Sequence, residues 1–117
     1  FSVEFSPGTG SDPDLNMKLW KLGVRIFKGI SKSRVYHFGS VVTRQKEKNF
    51  FSITDTGNKG NKIFLKKWGI GIKFFKKYYL RSDTKFTDIL GEPNKNLLYY
   101  LEYIKTKITY FYNKIIK

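Results

Sequence analysis

The sequence predicts an α/β fold in its first part that passes into helices, and three patterns carry that prediction. Leu15, Leu19 and Leu22 recur at i, i+4 and i+7, the spacing of one helix face. The short runs 24–27 and 35–38 are β-branched or aromatic and read as strands. From residue 97 onward Leu97, Leu101, Ile104, Ile108, Phe111 and Ile115 recur in steps of four and three, one apolar stripe along a long helix.

In chain order, Gly8 and Gly10 form a tight turn that also lets backbone approach a substrate. Ser11 or Asp12 then caps the first helix by accepting a hydrogen bond from an orphan backbone N–H. Pro13 suits the first turn, Asp12 and Asp14 lie at the positive end of the helix dipole, and Gly23 supplies a left-handed stop. A turn through 29–33 joins the two strands, and His37 stands on the second. Residues 40–62 are polar and rich in Gly and Asn, so they read as a loop with a short strand or helix at 50–54.

Two helices follow in 60–80. Ile63, Phe64, Lys67 and Trp68 belong to the first, which Gly69 closes. Ile72, Phe75 and Tyr79 continue at helical spacing, with Lys73, Lys76 and Lys77 opposite. The aromatic stripe reads first as packing and second as a Trp68 platform for a sugar ring. Residues 81–95 connect to the last helix, where tyrosines flank the stripe and Lys105, Lys107, Lys114 and Lys117 fill the polar side.

At 117 residues the chain is one domain or part of one, and the absence of cysteine excludes disulfides and thiolate metal sites. No stretch reaches the roughly 18 apolar residues of a membrane span. The net charge of +14 attracts nucleic acid, anionic lipid or diphosphates. Most of the cations are lysine, which with Ile, Asn, Phe and Tyr shares AT-rich codons, so base composition accounts for part of that charge.

Phe1, Glu4, Phe5, Gly10, Ser11-Asp12-Pro13-Asp14-Leu15, Lys18, Gly23, Ile26, Val35, His37, Gly39 and Ser40, followed by 64–69, resemble the second half of the catalytic domain of family-2 glycosyltransferases of the GT-A fold. The resemblance covers about residues 1–80 and implies a partial GT-A fold lacking its nucleotide-binding half. It divides the chain into catalytic residues 1–45, a loop-and-helix part 46–93 that packs on or lids the site, and a basic, aromatic helix 94–117.

The implied activity is transfer of a sugar from a nucleotide-sugar donor to a carbohydrate or lipid-linked hydroxyl acceptor. Asp12 would be the base that takes the acceptor proton. Gly10, Ser11, Asp14 and Trp68 would contact substrate, and His37 would ligate a divalent metal (Mn or Mg) or touch the donor diphosphate. The family's usual Glu is replaced by Ser11, which leaves room for a different acceptor. Because Phe1 falls inside the resembled pattern, the chain is expected to be a fragment, inactive alone.

Two short motifs read more plainly. Asp55-Thr56-Gly57 matches the aspartic protease triplet, but a polar turn accounts for it. Asp12-Pro13-Asp14 formally matches the metal-binding Asp-x-Asp, yet no apolar strand leads into it. The competing function is a non-enzymatic basic module for nucleic acid or an anionic membrane. Of these the membrane, through 95–117, is the expected partner and nucleic acid is not, while a homodimer through the same helix is the third reading. The expected location is the cytoplasm or the inner face of its membrane.

Overall fold

Gly10 opens the first helix. In the computed structural model of the chain, which describes residues 2–6, 10–29, 32, 51–86 and 88–115 and only the backbone of 51–58, α1 spans Ser11–Lys21. Its N-cap is Gly10 at φ +93°, one residue earlier than the sequence predicts, and no side chain caps it. A Cβ at Gly10 would lie 3.0 Å from the Phe5 ring and 3.3 Å from the Gly60 carbonyl oxygen, so conformation and space both require glycine. At the other end Gly23 turns left-handed at φ +90°. Its N–H donates to the Trp20 carbonyl and the Val24 N–H to the Leu19 carbonyl, each at 3.0 Å, the two bonds of a Schellman motif.

The buried face of α1 is not the leucine face. Asp14, Met17 and Trp20 point inward, whereas Leu15 and Leu19 are half-buried and Leu22 is 81% exposed. Trp20 decides the rotation: its ring stacks on Phe27 at 6.4 Å and meets Tyr79 edge-on at 5.4 Å. An indole carries more apolar area into the core than any one leucine.

Among the described residues there is no strand, and the elements are helices throughout. The α/β class, and the partial GT-A fold with it, is therefore corrected to a mainly helical one. Residues 24–29 are non-helical but join no ladder; a backbone bond from the Leu90 N–H to the Arg25 carbonyl at 2.8 Å ties them across. A β-branched run favours extended backbone, but it becomes a strand only when another lies beside it. The second run, 35–38, lies outside the described residues, as do His37 and residues 46–50 of the part expected to pack on or lid the site.

A second correction concerns 55–62, read as loop after a short strand or helix at 50–54 and found in one helix, α2, Phe51–Trp68. Asp55-Thr56-Gly57 is thus helical backbone and not a turn. Gly57, Asn58, Gly60 and Asn61 are poor helix formers, but tertiary packing outweighs propensity. Phe64 and Leu65 bury one face, and Gly60 is buried where its carbonyl approaches the Gly10 turn.

Gly69, at φ +70°, ends α2 with its N–H on the Leu65 carbonyl at 2.8 Å. α3, Ile72–Phe75, runs straight into a π-helical turn, Lys76–Leu80, whose wider turn carries Tyr78 and Tyr79, both packed on the core. α4, Leu97–Ile115, is capped by Asn96, whose Oδ1 accepts the Tyr99 N–H at 2.9 Å. The core joins Phe5, Met17, Trp20, Phe64, Phe74, Phe75 and Tyr99. Phe74 sits at its aromatic centre, 4.7 Å from Tyr78 and 5.1 Å from Tyr99.

Candidate functional site

The two carboxylates of Asp12-Pro13-Asp14 face different surroundings. Asp14 is fully buried, and each of its oxygens meets two donors. Oδ2 accepts from the Ser2 hydroxyl at 2.7 Å and meets the Lys18 ammonium at 3.0 Å. Oδ1 accepts from the Trp68 indole N–H at 2.9 Å and meets Lys67 at 3.0 Å. Lys67 also pairs with Glu4 at 2.6 Å, so two carboxylates and two ammonium groups balance. Burial alone would push the Asp14 carboxyl up, but the bonds from Ser2, Lys67, Lys18 and Trp68 together outweigh it and hold it at about 2. Asp14 therefore stays ionised and saturated, which suits it to fix α1 against α2 and leaves it no lone pair for a metal.

Asp12, by contrast, is exposed on the first turn of α1, and its side chain has no partner among the described residues. Ser11 is half-buried at the first helical position, and the Gly10 carbonyl accepts the Asp14 N–H at 3.1 Å. Of the residues singled out in the sequence, the fold thus brings Gly10, Asp14 and Trp68 together. Asp12 is left pointing to solvent, and His37 lies outside the described residues. Among the described residues no cluster of His, Cys, Asp and Glu could hold a metal ion, and His37, on which the resemblance places the divalent metal, is not one of them.

A cavity of about 610 Å³ opens on the other side of Trp68. Trp20, Trp68, Tyr79 and Tyr103 line it together with Lys21, Arg25, Lys67 and Lys107, against a single carboxylate, Glu92. That carboxylate is already paired with Arg25 at 2.9 Å, and the Arg25 guanidinium lies 4.0 Å from the Trp20 ring centroid. Lys21 and Lys107 have no carboxylate partner among the described residues. Burial, then the neighbouring Tyr99, raises the Tyr79 phenol above its ordinary value, so it remains neutral and a hydrogen-bond donor. Asp12 does not line this cavity.

No family model, no curated protein and no solved structure matches this chain. Side-chain chemistry alone therefore bears on what the cavity could hold. Aromatic walls and ammonium groups around one space suit a ring compound that carries negative charge.

Sequence reasoning missed most of this site. Lys18 was accessible to it, because Asp14 and Lys18 stand at i and i+4. Ser2, Lys21 and Arg25 gave no signal, and Lys67 was read only as part of the 63–68 helix, since their convergence is a product of tertiary packing.

Proposed function

We propose that the chain forms the acceptor side of a glycosyltransferase acting in the cytoplasm, with Asp12 as the base and the basic aromatic cavity as a saccharide site. The observation that carries this reading is the division between two carboxylates on one helical turn. Asp14 is consumed by four donors, and Asp12 is held on a rigid helix start yet left open to a reacting hydroxyl. The resemblance gives Asp12 that same role. The reading rests on these residues and requires no sheet.

In the step assigned to Asp12, an acceptor hydroxyl oxygen attacks the anomeric carbon of a nucleotide-sugar donor, and its proton passes to the carboxylate. The bond from that carbon to the diphosphate breaks, and the nucleoside diphosphate leaves with the electron pair, so configuration inverts. The cavity narrows the substrate class to saccharides bearing phosphate or carboxylate, in keeping with polysaccharide or lipid-linked acceptors. A ring stacks on Trp68 while Lys21 meets the anion.

The test is a transfer assay on the longest polypeptide encoded by the reading frame that contains this sequence. It uses a nucleotide-sugar panel with Mn²⁺ and acidic oligosaccharide acceptors. Wild type should release nucleoside diphosphate, and Asp12→Asn should abolish release while staying folded, its melting temperature within about 5 °C of wild type. Lys21→Ala should raise KM for charged acceptors and leave kcat unchanged. Release that survives Asp12→Asn, or a wild type inert on every donor, would sink the reading.

A further inference from the structure

Helix α4 has two aromatic or apolar sides, and the fold uses one. Tyr99 is 5% exposed and stacks parallel on Tyr103, and both rings pack on Phe74 at 5.1 and 5.8 Å. Glu102 pairs with Lys77 at 2.6 Å. The Lys107 Nζ lies 3.1 Å from where a Cβ of Gly69 would stand, so its charge meets the negative C-terminal end of α2. These contacts fix the tyrosine side inward.

At about 100° per residue, the line through Leu97, Leu101, Ile104, Ile108, Phe111 and Ile115 lies on the opposite side of the helix. It is exposed throughout, from 50% at Leu101 to 80% at Ile115, and no described residue covers it. It runs about 27 Å. Lys105 stands at one edge and Lys114 at the other, and Tyr100 and Tyr112 border it; both rings are exposed.

We propose that this face of α4 docks on the anionic surface of a phospholipid bilayer, lying flat at the headgroup boundary. Leucine, isoleucine and phenylalanine enter the acyl edge, the tyrosines sit among headgroups, and lysines on both flanks reach phosphates. Among the described residues no helix is long and apolar enough to cross a membrane, which fits a helix lying in the plane. Charge selects lipid over a second copy. With 23 basic and 9 acidic residues, each copy brings +14 to a self-interface, whereas an anionic leaflet supplies the opposite sign. This proposal goes beyond sugar transfer and is read by binding alone, so either can fail without the other.

The experiment is co-sedimentation of the full chain with phosphatidylcholine vesicles and with vesicles that also contain phosphatidylglycerol. Wild type should sediment with the anionic vesicles and remain in solution with the neutral ones. The triple variant Ile104→Gln, Ile108→Gln, Phe111→Gln changes only outward positions, so helicity and melting temperature should hold while partitioning falls at least about ten-fold. Phe111→Trp should shift its emission to the blue on anionic vesicles. Three results would each overturn the proposal. Wild type could stay in the supernatant, or the triple variant could bind as well as wild type, which would assign binding to diffuse charge. Sedimentation velocity without lipid could also show a dimer that the triple variant dissolves, which would put a second copy on the face.

Discussion

Asp14 and Asp12 show how little a residue's identity says about its work. Converting Asp14 to Asn strands the Lys18 and Lys67 ammonium groups beside a neutral amide. Both keep contact with water, their side chains being 39% and 27% exposed. The expected cost is therefore about 2–3 kcal/mol, below the ~3–5 of a fully buried broken pair. Urea denaturation of Asp14→Asn checks it, and Asp12→Asn should lose under about 1 kcal/mol in the same series.

Acid gives a second readout. The Asp14 carboxyl falls from 3.8 to about 2 on folding, worth about 2 kcal/mol. Because the folded value is the lower one, that stability is complete above about pH 4 and drains away as pH falls toward 2. Asp14→Asn should flatten this part of the stability-against-pH curve. The paired carboxylates were visible in the sequence, but which one was spoken for was not. The deciding Trp68 donor arrives from 54 residues away.

At the scale of elements, local signals located the C-terminal ends of α1 and α2 well and helix faces badly. Gly23 and Gly69 stop their helices because a left-handed residue can be read from glycine after an apolar run. Faces depend on what the helix meets. In α1 Trp20 outweighed three leucines, and in α4 Tyr99 and Tyr103 turned inward and the leucine stripe outward. The strand reading of 24–27 failed because extended preference is local and pairing is not. Two turn residues can be tested in one thermal denaturation series. Gly10→Ala should cost about 1–2 kcal/mol, combining a strained φ of +93° with contact against the Phe5 ring. Asn96→Ala removes the cap on the Tyr99 N–H and should cost about 1 kcal/mol.

For the whole molecule, net charge dominates the behaviour in solution. A chain at +14 repels itself in the compact state, and salt relieves that repulsion. Its melting temperature should therefore rise by about 2–5 °C between low and moderate ionic strength. A flat or falling curve in differential scanning calorimetry would mean that local pairs such as Lys67 with Glu4 and Asp14 outweigh the global term. Composition made this charge plain, while the cavity that gathers Lys21, Arg25, Lys67 and Lys107 was not readable, because it exists only between helices.

The length of α1 adds a constraint on the proposed substrate. Asp12 stands on the first turn, and the α1 residues that line the cavity, Met17, Trp20 and Lys21, belong to its second half. Between Asp12 and Lys21 the helix advances about 14 Å. The helix thus acts as a ruler: a single charged sugar can fill the cavity without reaching the base, and only a chain of sugars can occupy both ends at once.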